Sequence, residues 1–369
     1  MSDAPQRRVL VIFPGALGDF ICFLPALCAL GEDACVDLLA RSEFAGWAPL
    51  AVNVASFERY EIRRLFVAGA QDEERVRNFF ASYAAVYSWM GSQAGEFVRQ
   101  LESVSQGRAR IFHFRPRDQK MHQRDYYLTC LDPSTRAPDL ARGFCSGFRP
   151  TGVLERATGL PVDLHTANRN SPLPAITPRP QAVQWRNRFW QRNSLAGKAV
   201  LTLAPGSGAA EKNWPIHFFR AVAEWWRRVT QGAAVVLTGP VEEERGGFDT
   251  LSDCCKSARD LNLAQVAALL AGSDVYLGND SGITHLAAAL GVRAVALFGP
   301  SDAHEWAPIG ERVTVLTRNV ECSPCEVSVM KSCSHHKCLT ALYPADVIRE
   351  IEKLPEVATL TRLGAGIRV

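Results

Sequence analysis

Apolar residues in the first half of the chain fall into short, β-branched runs separated by stretches of helical composition. Val9–Phe13 predicts a first strand, Gly15-Ala16-Leu17-Gly18 a tight loop and Phe20–Leu30 a helix. Cys35–Ala40, Ala84–Trp89 and Ala109–Phe114 predict further strands, with a helix over Gln93–Val104. Strands alternating with helices in this way predict a parallel sheet with crossover helices.

Between residues 161 and 180 the periodicity dissolves. Pro161, Pro172, Pro174, Pro178 and Pro180 stand in a short polar stretch that reads as an interdomain linker. The cycle then restarts. Helix Gln181–Leu195 is followed by strand Ala199–Leu203, loop Ala204–Asn213 and the aromatic-rich helix Ile216–Val229. Strand Ala233–Thr238, helix Leu263–Ala271, strand Val275–Leu277, helix Gly282–Leu290 and strand Ala294–Phe298 complete it, and Pro344–Leu354 predicts a final amphipathic helix. The expectation is α/β: two doubly wound, Rossmann-like domains over residues 1–175 and 181–345, then a C-terminal helix and tail over 346–369.

Length agrees, since 369 residues are too many for one ordinary core. With 47% hydrophobic and 21% charged residues, disordered and fibrous classes are excluded. A net charge of +3 gives no argument for a nucleic-acid partner. No segment reaches the roughly 18 apolar residues that cross a bilayer. Arg7 and Arg8 before the first apolar run look like the start of a signal peptide, but Pro14, Gly15, Gly18 and Asp19 interrupt it. A cytoplasmic protein is expected, and seven of its eleven cysteines, Cys22 to Cys255, read as free thiols in apolar surroundings.

Three strand-to-helix junctions carry candidate chemistry. Val275 to His285 runs from a strand through Gly278-Asn279-Asp280-Ser281-Gly282 into a helix. The first N–H groups of a helix lack internal partners and attract anions, so this loop predicts a phosphate cradle, against the plainer reading of a capped helix. Asp280 caps that helix or faces a ribose or a cation. The second junction, Pro205-Gly206-Ser207-Gly208 through Lys212-Asn213-Trp214-Pro215, exposes backbone donors beside a point charge suited to phosphate, though it lacks the P-loop ending. The third, Pro14-Gly15-Ala16-Leu17-Gly18-Asp19, lacks the dinucleotide fingerprint; Asp19 reads as a general base or as a helix N-cap.

Taken in order, Gly15-x-x-Gly18-Asp19, Pro205-Gly206-Ser207-Gly208 with Lys212-x-Trp214-Pro215, Gly278-Asn279-Asp280-Ser281-Gly282-x-x-His285 and Leu297-Phe298-Gly299-Pro300-Ser301-Asp302 resemble glycosyltransferase family 9. These are the ADP-heptose:lipopolysaccharide heptosyltransferases, and the likeness covers the first thirty residues and most of 199–350. The resemblance implies a GT-B fold with two domains facing a cleft. It implies a metal-independent, inverting transfer of heptose from ADP-heptose to a lipopolysaccharide core acceptor. Asp19 would be the base, and Lys212 with the amides near Ser207, Gly208, Ser281 and Gly282 would steady the leaving diphosphate. His285 and Asp280 would join the donor site, and Glu242 or Glu243 would hold the ribose. Gly15 and Gly18 would face the acceptor. Where several heptosyltransferases carry a second hydroxyl in the Ser207 loop, this chain has Gly208.

Arg108, Arg110, Arg115, Arg117, Lys120 and Arg124 form a basic stretch, read either as a solvated face or as a site for an acidic acceptor. Arg115, Arg117 and Lys120 are the acceptor candidates, and the same charges suit peripheral contact with the anionic inner face of the inner membrane, at about 1 kcal/mol per basic residue. Cys322-x-x-Cys325, Cys333 and Cys338, with His335 and His336 between, read as free thiols by default and as a structural zinc site in the alternative. The competing functions are transfer from another nucleotide sugar, an isomerase like UDP-N-acetylglucosamine 2-epimerase, and an inactive nucleotide-binding protein.

Overall fold

A computed structural model of the chain describes residues 7–49, 52–116, 120–131, 176–354 and 357. The chain divides into two compact units, Met1–Ser146 and Gly147–Val369. Most of the expected linker, with Cys145 and Arg117, lies outside the described residues.

In the first unit the strands are β1 (Arg8–Ile12), β2 (Cys35–Ala40), β3 (Val52–Ser56), β4 (Ala85–Ser88) and β5 (Ala109–Ile111), and the helices α1 (Leu17–Asp33), α2 (Tyr60–Arg64), α3 (Glu74–Ala81), α4 (Gly95–Val104) and α5 (Gln123–Thr129). All strand pairs are parallel, in the order β3-β2-β1-β4-β5. β1 and β4 are buried through nearly their whole length, which is why each reads as an unbroken apolar run. The outer strand β3 was not predicted, and β5 is shorter than the expected Ala109–Phe114. Both are sheet edges, where only one neighbour supplies hydrogen bonds and burial.

Asp37 fastens this sheet at the start of its strands. Its carboxylate accepts hydrogen bonds from Arg8 (2.6 Å), Asn53 (3.1 Å) and the Tyr83 hydroxyl (2.9 Å), joining β2 to β1, β3 and the turn before β4. Burial pushes the Asp37 carboxyl up, but these three donors together outweigh it and hold it below its ordinary value. A depressed carboxyl stabilises the fold above its unfolded value, near 3.9, and that contribution is lost as pH falls through the folded value. Asp37→Asn is expected to cost about 1–2 kcal/mol at pH 7, since Arg8 is half-exposed and screened. The deficit should shrink toward zero at an acid pH below the depressed folded value, where both proteins carry a neutral side chain. Urea titrations at the two pH values check this, and an equal deficit at both would refute it.

The second unit holds β6 (Val200–Ala204), β7 (Ala233–Leu237), β8 (Lys256–Ala258), β9 (Val275–Asn279), β10 (Arg293–Phe298) and β11 (Val313–Thr317). Its helices are α6 (Pro180–Arg192), α7 (Ile216–Thr230), α8 (Pro240–Arg245), α9 (Leu263–Ala271), α10 (Gly282–Ala289), α11 (Ala303–Trp306), α12 (Val327–Ser332), α13 (Lys337–Thr340) and α14 (Pro344–Glu352). The strands are parallel in the order β11-β10-β9-β6-β7-β8. The chain winds outward from β6 to β8, then restarts at β9 and winds the other way. The junction of β6 and β9 is therefore the topological switch point, where open α/β sheets place their ligands. In the first unit the same reversal falls between β1 and β4.

Phe219, Val222, Ala223, Trp225 and Trp226 of α7 recur at helical spacing and pack on the sheet, each large side chain stabilising the fold by about 1.5–3 kcal/mol. Val347 and Ile351 of α14 join the same core, and the Trp214 indole N–H donates to Leu342 O at 2.7 Å, tying the C-terminal segment to the loop after β6. Among the described residues no helix is long and apolar enough to cross a membrane.

Candidate functional site

In the first unit β1 ends at Ile12 and the chain turns at Pro14-Gly15 into α1. A Cβ on Gly15 would strike the Phe13 ring and lie 2.8 Å from the Asp19 Cβ, so only glycine fits this turn. The helix starts earlier than expected. Leu17 opens it, which places Gly18 inside the helix rather than in the loop. Asp19 is consequently not the N-cap but the third helical residue, and its Oδ2 accepts from the Ala16 amide at 3.1 Å. Its other oxygen faces the Arg115 guanidinium at 3.4 Å. Asp19 is 8% exposed, and after burial its charge is the next cause pushing the Tyr127 hydroxyl up, so the two groups are neighbours.

A cavity of about 670 Å³ opens beside Arg115, at the carboxyl ends of β1, β4 and β5. Pro14, Trp89, Met90, Ser92, His113 and Arg115 line it, and the Ser92 hydroxyl lies 3.1 Å from His113 Nδ1. Arg115 lies over the Phe114 ring at 5.2 Å. The solvated-face reading of the basic stretch does not hold as a whole. Arg108 donates to the carbonyls of Ser105 and Tyr83, Arg110 lies over Tyr87 and Phe112, and Arg124 is buried against Asp125 at 2.7 Å. Of the acceptor candidates, Arg115 alone is placed at Asp19 by a described contact; Lys120 is exposed, and Arg117 lies outside the described residues.

In the second unit the loops leaving β6 and β9 lie side by side, because these strands are neighbours. Lys212 Nζ reaches Asp280 Oδ2 at 2.6 Å across them. Asp280 thus faces a cation, the Lys212 ammonium. Ser281 is the N-cap of α10 by its backbone but makes no side-chain cap; its hydroxyl lies 3.1 Å from Thr284 Oγ1 instead. By helix geometry the first amides, at Gly282 and Ile283, have no intrahelical acceptor, which suits an anion there. His285 is buried one turn further on.

Ser207 is 5% exposed, and its hydroxyl lies 2.6 Å from Ala209 O and 2.7 Å from Asn213 Oδ1, folding the loop on itself. Around Gly208 a Cβ would meet nothing within 4 Å, so the hydroxyl missing there leaves open space. Glu242 accepts from the Gly239 amide at 2.9 Å and crosses over Gly206, where a Cβ would collide with its carboxylate. Glu243 faces Thr238 and Arg259 instead.

Sequence reading missed the residue that joins these loops. Asn279, fully buried at the end of β9, donates through Nδ2 to Pro205 O (2.7 Å) and accepts at Oδ1 from the Trp214 amide (3.0 Å). It therefore holds both ends of the loop after β6 against the start of α10. The signal was a lone amide side chain closing an otherwise apolar strand. Asn279→Ala orphans two buried backbone groups at about 1–3 kcal/mol each. A stability loss of roughly 2–4 kcal/mol is expected in urea unfolding, and a loss below about 1 kcal/mol would show that the amide is not the clamp.

The cysteines near the C-terminus are free thiols among the described residues. Cys338 is pushed up to about 11, first by burial and then by the thiols of Cys325, Cys322 and Cys333. Among the described residues no group of three or more His, Cys, Asp or Glu side chains is placed to hold a metal ion.

Comparison with known proteins covers both units. Residues 162–336 match the model of glycosyltransferase family 9 (heptosyltransferase). Lipooligosaccharide heptosyltransferase 2 of Haemophilus influenzae is 29% identical over 155 residues, 39% of this chain and 44% of that protein. The chain thus spans about half the length of the curated relatives it matches. A glycosyl transferase family 9 structure from Veillonella parvula superposes with a TM-score of 0.68 at 17% identity, covering 98% of each chain. E. coli ADP-heptose lps heptosyltransferase II follows at 0.64 and 16%, covering 96% of this chain and 99% of that one. The likeness to these structures is one of fold, and the GT-B expectation of two Rossmann-like units in one chain holds. With the motifs in family order and the family match over nearly half of the chain, the second unit is similar to glycosyltransferase family 9.

Proposed function

We propose that the protein is an inverting glycosyltransferase that moves a heptose from ADP-heptose to a lipopolysaccharide core acceptor, working in the cytoplasm at the inner face of the inner membrane. The observation that carries this reading is the meeting of two strand-to-helix turns, joined by the Lys212–Asp280 ion pair, at the switch point of the second sheet. The names of the relatives, heptosyltransferases that include an ADP-heptose enzyme, support the choice of sugar and nucleotide.

In this reading the acceptor enters the cavity beside Arg115, and Arg115 and Lys120 answer its negative charge. Asp19 takes the proton of the attacking hydroxyl as that oxygen bonds to the anomeric carbon. The bond from that carbon to the diphosphate breaks on the opposite face, so one displacement inverts the centre. Negative charge then grows on the departing oxygen. Lys212 and the amides of Gly208, Gly282 and Ile283 meet it, preorganised before the reaction. Glu242 holds the ribose, Ser207 and Ser281 shape the two turns, and His285 supports the phosphates from the first turn of α10. The chemistry needs no metal, because the lysine and the helix start supply the positive potential.

Incubation with ADP-heptose and a deacylated core acceptor should release ADP only when both are present. Isomerisation of UDP-N-acetylglucosamine without acceptor would establish the epimerase reading instead. Nucleotide binding with no turnover of any sugar would leave an inactive binding protein.

A further inference from the structure

The loop after β6 has one side-chain hydroxyl, at Ser207, and that hydroxyl is engaged with Ala209 O and Asn213 Oδ1. Its phosphate-binding capacity therefore depends on which way its peptide groups point. A peptide plane sends its C=O and N–H in opposite directions, so fixing one fixes the other. Arg245, the last residue of α8, donates to Ser207 O (3.1 Å) and to Gly208 O (3.4 Å). Those carbonyls share their peptide planes with the amides of Gly208 and Ala209.

We propose that Arg245 is a positioning residue for the diphosphate: by holding the carbonyls of Ser207 and Gly208 on one side of the loop, it turns the amides of Gly208 and Ala209 toward the ligand. The inference rests on the diphosphate reading above. A guanidinium suits the task because its planar fork serves two oxygens at once in a fixed geometry, which the rotatable ammonium of a lysine does not impose. The loop needs the support, because glycine at 208 leaves the backbone free of any side-chain constraint and nothing packs where a Cβ would stand. Without Arg245, either peptide can rotate and present a carbonyl to the phosphates, replacing attraction by repulsion.

Arg245 is exposed, so Arg245→Ala should fold normally, and its melting temperature without ligand serves as the control. Calorimetric titration with ADP and with adenosine separates the outcomes. The expected result is a roughly tenfold weaker Kd for ADP, adenosine affinity unchanged within about twofold, and partial recovery in Arg245→Lys. Equal losses for ADP and adenosine, or full recovery with lysine, would overturn the role, the first pointing to general loosening and the second to charge alone. An unchanged ADP affinity would overturn it directly. Wild-type protein that binds neither ADP nor pyrophosphate would overturn the diphosphate reading and this role with it.

Discussion

Asp19→Asn is expected to lower the rate of sugar transfer by about 10²–10⁴ while leaving ADP affinity within about twofold of the wild type. Asparagine is the informative substitution because of what it preserves. Its side-chain oxygen can still accept from the Ala16 amide, so the first turn of α1 keeps its cap. What it removes is the capacity to take a proton. The loss should therefore appear in turnover at saturating donor and acceptor. Asp19→Ala would confuse the matter by also deleting the cap, worth about 1 kcal/mol of helix stability. Arg115 complicates the acceptor side, because its partner at 3.4 Å loses its charge in either variant. A rise in acceptor KM alongside the fall in kcat is compatible with the assignment; an unchanged kcat would sink it.

Lys212→Ala is expected to lower transfer by about 10²–10³, the range seen when one stabiliser of a developing anion is removed. ADP binding should weaken as well. The geometry adds a second effect with a definite sign. Asp280 Oδ2 lies 2.6 Å from Lys212 Nζ and is 8% exposed, so deleting the lysine leaves a buried carboxylate facing the diphosphate. At about 4 Å and an effective dielectric of about 20, one such repulsion is worth up to about 4 kcal/mol before relaxation. The double variant Lys212→Ala with Asp280→Asn should therefore be less damaged than Lys212→Ala alone, recovering at least about fivefold in ADP affinity. Steady-state kinetics and calorimetry on the two proteins check this. A double variant as weak as the single one would show that Asp280 does not face the diphosphate.

How far the sequence could be read follows the burial of each element. Central strands β1, β4, β6, β9 and β10 are covered on both sides, so their sequences are continuous apolar runs that announce themselves. The strands passed over, Val52–Ser56, Lys256–Ala258 and Val313–Thr317, are all sheet edges. Two of them show mostly exposed or half-buried residues, and a run of three or five such residues carries no period. The glycine loops were legible because each follows a strong strand and opens a helix. The basic stretch was not, because arginines that serve carbonyls, rings and carboxylates look the same in sequence as arginines that face solvent.

The sequence by itself determined the doubly wound class, the three strand-to-helix junctions and the residues of the loops that the proposed function assigns to the donor. These are local properties, set by apolar period, turn chemistry and motif order within a few dozen residues. Only the tertiary structure decided that Lys212 meets Asp280, 68 residues away, that Asn279 clamps both ends of the loop after β6, and that Asp19 sits inside α1 opposite Arg115. Those pairings depend on which strands become neighbours. Strand order is settled by the packing of whole sheets and their helices, a property that no window of sequence contains.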